Sequence, residues 1–128
     1  MKPLGTILLV EDDPDIQELA VMALESVGGF TVYGCDNGRI AVQEAQRVAP
    51  DLIILDWMMP GFDGGQTLSA LRDNPATKSI PVIFMTAKVR ADEVERMRSL
   101  GALDVIAKPF DPMALPDQVR EIWDRFQQ

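Results

Sequence analysis

Five short apolar runs alternate along the chain with segments whose apolar residues recur at intervals of three and four. The runs are Thr6 to Val10, Phe30 to Tyr33, Asp51 to Leu55, Ile80 to Met85 and Leu103 to Ala107. Each has the length of a strand, and Leu52-Ile53-Ile54-Leu55, with no polar alternation, predicts burial on both faces. Between the strands, Pro14 to Val27 carries Ile16, Leu19, Ala20, Ala23, Leu24 and Val27 at helical spacing, and Gly28-Gly29 stops it. Gly38 to Val48 repeats the pattern through Ile40, Ala41, Ala45 and Val48, with Pro50 marking its end. The turn-rich Pro60-Gly61-Phe62-Asp63-Gly64-Gly65 leads into a helix through Leu68 and Leu71, closed by Asn74-Pro75. Ala91 to Leu100 is a charged helix with Val94, Met97 and Leu100 as apolar positions and Gly101 as its cap. Pro112 to Phe126 is the last, striped by Leu115, Val119, Ile122 and Phe126; Pro116 falls in its first turn, where a missing N–H costs least.

A strand–helix pair repeated five times predicts the α/β class, with a parallel sheet covered by helices on both faces. The alternation does not by itself fix the strand order. The doubly wound, flavodoxin-like order 2-1-3-4-5 is the expected solution, as one domain over residues 1–128. In such sheets ligands bind outside the carboxyl ends of the strands. Asp56 follows the third strand, Glu11, Asp12 and Asp13 follow the first, Thr86-Ala87 the fourth and Lys108-Pro109 the fifth. Crowded carboxylates repel and hold protons unless a cation is present. A hard divalent ion such as Mg²⁺ resolves the conflict, because it takes oxygen ligands, keeps some waters and also binds phosphate. Lys108 adds a compact positive charge and Thr86 a hydroxyl donor. Together these groups suit a phosphoryl group on Asp56, a carboxylate acting as nucleophile to form an aspartyl-phosphate.

Composition narrows the picture. The net charge of −8, from 12 basic and 20 acidic side chains, argues against direct DNA binding and against anionic membranes. The absence of histidine excludes a Ser-His-Asp triad, a histidine-ligated zinc site and a phosphohistidine on this chain. Cys35 is the single cysteine, so no internal disulfide forms, and a cytoplasmic location is expected. The apolar run Ile7 to Val10 is too short for a signal peptide or a membrane span. No Gly-x-Gly-x-x-Gly or Walker motif is present, which argues against nucleotide binding.

Four segments in order, Ile7-Leu8-Leu9-Val10-Glu11-Asp12-Asp13-Pro14, Leu55-Asp56-Trp57-Met58-Met59-Pro60-Gly61-Phe62-Asp63-Gly64, Pro81-Val82-Ile83-Phe84-Met85-Thr86-Ala87 and Lys108-Pro109-Phe110, carry a resemblance. The chain resembles the receiver domains of two-component response regulators from about Gly5 to Phe126, and in length the single-domain chemotaxis type. The resemblance implies a phosphorylation switch rather than an enzyme. Asp56 is then the phosphoacceptor. Asp12 and Asp56 would bind Mg²⁺ (or Mn²⁺) directly, Glu11 mostly through water, and the backbone carbonyl of Met58 would be a further ligand. Thr86 would hydrogen-bond the phosphoryl oxygen and Lys108 would pair with it, aimed by a cis Lys108-Pro109 peptide. Met58 and Lys88 would flank the phosphoryl group and influence its lifetime. The implied partners are a histidine kinase or phosphotransfer protein and a downstream protein target. The surface of the fourth helix, fifth strand and fifth helix would make that contact or a weak dimer. One departure stands out: relatives often carry Tyr, Phe or His where this chain has Val105, which cannot swing inward as a ring does.

Some features have simpler readings. Asp13-Pro14 reads as a helix start, with Asp as N-cap and Pro at N1. Gly64-Gly65 reads as turn geometry, Trp123 as the rim of the core and Cys35 as a small buried or loop residue. Rival functions fit less well. A dehalogenase-type phosphatase needs a second Asp at position 58, which is Met, and a cap domain. A flavodoxin-like FMN carrier needs a Ser/Thr/Gly-rich loop where Glu11-Asp12-Asp13 stands. A receiver that scaffolds without phosphate is kept open by Val105.

Overall fold

A computed structural model describes residues 2–87 and 89–127. The strands are β1 (Thr6–Val10), β2 (Thr31–Cys35), β3 (Leu52–Asp56), β4 (Val82–Thr86) and β5 (Asp104–Ala107). They form one parallel sheet in the order β2-β1-β3-β4-β5, the expected flavodoxin-like arrangement. The helices are α1 (Pro14–Met22, continued by a π-helical turn over Ala23–Val27), α2 (Gly38–Val48), α3 (Gly64–Asp73), α4 (Ala91–Ser99) and α5 (Leu115–Gln127).

Alternating residues of each strand serve two separate cores, as the two-residue period of a strand requires. Ile7, Leu9, Leu52, Ile54, Ile83 and Met85 face α1 and α5 through Ala20, Leu24, Leu115 and Val119. Leu8, Val10, Ile53, Leu55, Val82 and Phe84 face the other way, against Ala41 and Ala45 of α2, Leu68 and Leu71 of α3, and Met97 of α4. Burial on both faces explains why β1, β3 and β4 read as unbroken apolar runs.

Several boundaries move. The expected helix Pro14 to Val27 begins as predicted, with the Asp13 side chain accepting from the N–H groups of Asp15 and Ile16 and Pro14 in the first turn. Its last turn is π-helical, which adds a residue to the turn and changes the phase. Val27, expected on the core face, is exposed as a result. Leu19, Ile40, Leu100 and Phe126 also sit outside the core, at the edges of stripes wider than the face each helix buries. β2 runs Thr31–Cys35 rather than Phe30 to Tyr33: the Phe30 N–H caps the preceding turn at the Leu24 carbonyl, and its ring joins the core. β4 starts at Val82, after Pro81, which has no N–H to give the ladder. α5 starts at Leu115, because Asp111 draws the N–H groups of Met113, Ala114 and Leu115 into a preceding turn. Trp123 is more deeply placed than the rim expected for it: it is buried, and its indole N–H donates to the Lys2 carbonyl at 2.8 Å.

α4 is the least anchored helix. Met97 is its one buried residue, and its N-cap, Arg90, makes no side-chain cap. Gly101 after it adopts φ 108°, a left-handed conformation that closes the helix and that residues with a Cβ avoid.

Candidate phosphoacceptor site

The parallel register brings the strand ends to one edge. Val10 lies beside Leu55, Asp56 beside Met85 and Thr86 beside Ala107. Glu11, Asp56, Thr86 and Lys108 therefore emerge side by side from four strands separated in sequence. Backbone hydrogen bonds hold the exits: Glu11 N–H to the Cys35 carbonyl, Trp57 N–H to that of Met85, and Lys108 N–H to that of Thr86, each at 2.9 Å.

Glu11 and Asp56 are nearly inaccessible, at 2% and 3% exposure, whereas Asp12 is more open. One carboxylate oxygen from each of the three lies within 4.8 Å of the others. Lys108 Nζ bridges two of them, at 2.5 Å from Glu11 Oε1 and 3.1 Å from Asp56 Oδ1. The peptide joining Lys108 to Pro109 is cis, as the resemblance implied. Glu11 also accepts from the Asp13 N–H, and Asp56 Oδ1 from the Met58 N–H at 3.3 Å. Thr86 is fully buried at the end of β4.

Among the described residues the charge count is uneven: one lysine, Lys108, faces two buried carboxylates, with a third nearby. Burial, then the hydrogen bond and charge of Glu11, push the Asp56 carboxyl up to about 7, against the pull of Lys108. Burial disfavours the charge of Lys108 as well, but its bonds to Glu11 and Asp56 outweigh this and raise its pKa. The donor set is all oxygen and over-negative, with Asp56 holding a proton near neutrality for want of positive charge. These residues fit a hard divalent cation of the Mg²⁺ type.

Two features were not singled out from sequence as parts of the site. Gln17 on α1 donates from Nε2 to the Glu11 carbonyl at 3.0 Å and to that of Cys35 at 3.1 Å, joining the ends of β1 and β2. Its signal was a polar residue one helical turn past the Asp13 cap. Gly64 opens α3 directly against the end of β3: a Cβ there would lie 2.6 Å from the Asp56 carbonyl oxygen and 2.8 Å from Trp57 Cα. The Gly64 N–H donates to the Trp57 carbonyl at 3.1 Å, so the loop after Asp56 returns tightly onto its strand. Gly64 therefore supplies close approach as well as a turn. Gly65, by contrast, has room for a Cβ.

Met58 is exposed at the mouth of the site. Val105 is half-buried on β5, paired in register with Phe84. Lys88 lies outside the described residues. Cys35 is buried, its thiol donating to the Asn37 carbonyl.

Comparison with known proteins agrees with the geometry. The response regulator receiver domain family matches residues 7–120. The chain is 39% identical over 121 residues to the phosphate regulon transcriptional regulatory protein PhoB of Escherichia coli (strain K12), covering 93% of this chain and 52% of that protein. It is 37% identical to the response regulator Rre1 of Synechocystis, covering 95% of this chain and 53% of the relative. The chain thus spans about half the length of the curated relatives it matches. Among solved structures, the Vibrio cholerae chemotaxis protein CheY4 superposes with a TM-score of 0.85 at 26% identity, covering 93% of this chain and 98% of that one. A putative response regulator from Chloroflexus aurantiacus gives a TM-score of 0.83 at 33% identity, covering 97% of this chain and 100% of that one. With its five-stranded CheY-like fold and acidic strand-end cluster, this chain belongs to the response regulator receiver domains of two-component signal transduction.

Proposed function

We propose that residues 1–128 act as one phosphoryl-accepting switch, with Asp56 as the acceptor. The observation that carries this reading is the buried, over-negative pocket in which Asp56 shares Lys108 with Glu11. An Asp56 oxygen attacks the phosphorus of a phosphohistidine on a partner kinase or phosphotransfer protein. The P–O bond forms as the P–N bond breaks, and the departing imidazole takes up a proton. Lys108 moves its charge from the carboxylates toward the new phosphoryl oxygens, and the Thr86 hydroxyl donates to one of them. Glu11, Asp12, Asp56 and the Met58 carbonyl would hold Mg²⁺ or Mn²⁺, which supplies the positive charge this donor set lacks. The domain assists its own phosphorylation and dephosphorylation, and Met58, exposed at the mouth, and Lys88 influence the lifetime.

An apolar hollow of about 350 Å³, lined by Ile16, Leu19, Ala87, Lys108, Pro109 and Phe110, opens beside the pocket and supports docking of the phosphodonor there. The output in this reading is a protein contact or weak dimer through α4, β5 and α5, biased by a population shift on phosphorylation. The −8 charge supports no direct DNA or membrane contact by these residues. No described helix is long and apolar enough to cross a membrane, and cytoplasmic signalling is the setting we propose. Incubation with Mg²⁺ and acetyl phosphate should add one phosphate by mass, and Asp56→Asn should abolish it. Undiminished labelling of that variant would move the acceptor elsewhere.

A further inference from the structure

Phosphorylation at Asp56 is useful only if a distant surface responds, and the contacts around Trp57 point to one route. Trp57 follows the acceptor directly, and its N–H is pinned to the Met85 carbonyl at 2.9 Å. Its ring meets Phe84 edge-on, with centroids 4.9 Å apart and planes at 80°. On α4, the Arg96 guanidinium lies 5.8 Å from the indole centroid. Beside this contact lies a groove of about 820 Å³ between α3 and α4, with Trp57, Met59, Gln66, Glu93, Arg96 and Leu100 on its walls. The indole therefore has open space on one side and a rigid, fully buried partner on the other.

The alternative path through β5 is stiff. Val105 stands opposite Phe84 in the β4–β5 register and packs in the same core. A β-branched side chain has few χ1 states to switch between. α4, in turn, has Met97 as its sole buried anchor and no side-chain N-cap. Beyond Met97 it is held from its exposed side by the Arg98–Asp104 ion pair, so it opens locally at low cost, and one added or lost contact changes its population noticeably.

We propose that Arg96 is a positioning residue for α4: stacked on Trp57, it ties the helix to the residue following the acceptor and transmits the state of Asp56 to it. The proposal rests on the reading of Asp56 as phosphoacceptor for its phosphate-dependent half, but the tie exists in the resting protein. A shift of the Trp57 backbone as Asp56 gains the phosphoryl group would move the indole relative to α4 and change that tie.

Amide hydrogen exchange of peptides spanning Ala91–Ser99, read by mass spectrometry, tests both halves. In resting protein, Arg96→Gln should speed exchange there by about two- to fivefold, the scale of an exposed cation–π contact. Trp57→Leu, which also loses the Phe84 edge contact, should do at least as much, and the double variant no more than Trp57→Leu alone, because the Arg96 contact is already lost there. Arg96→Lys, which keeps a cation, should stay near wild type. Additive effects of the two substitutions would overturn the tie. After acetyl phosphate labelling, wild-type α4 should change its exchange. Arg96→Gln, labelled to the same extent, should show less than half that change. A full response in labelled Arg96→Gln would overturn the coupling. Failure of wild type to label at all would instead overturn the acceptor reading beneath it, a separate outcome.

Discussion

Two aspartates at opposite edges of one sheet show how the same side chain is left short of positive charge in one place and satisfied in another. Asp56 ends β3 at the carboxyl edge; Asp104 begins β5 at the amino edge. Both are partly withdrawn from water, and burial alone would raise both pKa values. At Asp104 two arginines and a backbone N–H answer the charge: Arg98 at 2.8 Å, Arg125 at 3.1 Å and Val105 N–H at 2.8 Å. Arg98 first, then Val105 and Arg125, overcome the burial and hold that carboxyl below its usual range. At Asp56, Lys108 is shared with Glu11, and the balance falls the other way. Asp104 is a satisfied clasp joining α4, β5 and α5. Asp56 is an unsettled charge, and an unsettled carboxylate is one that a cation or a phosphoryl group can recruit.

The comparison breaks most severely at Lys108. Lys108→Met leaves Glu11 and Asp56 facing each other without the one cation that pairs with them among the described residues, and removing one partner from a buried ion pair should cost about 3 kcal/mol at pH 8. The lysine itself stays charged across pH 5 to 8, since its folded pKa is raised. The pH dependence must come from the acids. The deficit should therefore shrink toward pH 5, as Asp56 takes up the proton its surroundings favour. Chemical denaturation at the two pH values reads this directly. An equal deficit at both would mean that the acids do not sense one another.

Asp56→Asn should do the opposite and stabilise the fold. With a folded pKa of about 7 against the ordinary 3.8, the native protein binds more protons than the unfolded chain in between. Its stability therefore falls as pH rises through that window, and the full penalty is present above pH 7. Removing the charge should recover on the order of 2 kcal/mol at pH 8 in metal-free buffer, with little gain below pH 4. Millimolar Mg²⁺ should narrow the difference by stabilising wild type. A melting temperature unchanged by the substitution at pH 8 would contradict the unsettled charge.

The same contrast marks what the sequence made legible. The fold was readable because β1, β3 and β4 are buried on both faces and announce themselves as apolar runs. The strand ends were harder to place: Phe30 spends its N–H on the Leu24 carbonyl of the preceding turn, and Pro81 has no N–H to give the ladder. At the site, Glu11, Asp12 and Asp56 were placed together by the sheet order, and the structure brings them within reach of one cation. What stayed hidden depends on approach in space. Gly64 reads as a turn residue until the Asp56 carbonyl is seen beneath it, and Gln17 as a surface polar residue until its two carbonyl partners appear. The Asp104 clasp was equally invisible, because Arg98 and Arg125 come from two different helices.

The smallest expected effect is at that clasp, and it carries the opposite sign. Asp104→Asn keeps an acceptor for the Val105 N–H and Arg98 but loses the charge both arginines answer. Because Arg98 and Arg125 are more than half exposed, screening limits the loss to about 1 kcal/mol at pH 7. A depressed folded pKa contributes stability that is present above the ordinary 3.8 and is lost as pH falls through the folded value. The variant and wild type should therefore converge once the pH falls below that folded value, where Asp56→Asn has also lost its advantage. Raising salt toward 1 M, where the Debye length falls to about 3 Å, should shrink the Asp104 deficit while barely touching the buried Lys108 one. Urea denaturation at low and high salt separates the two sites. A salt-insensitive Asp104 deficit would mean that its arginines act by packing their stems rather than by charge.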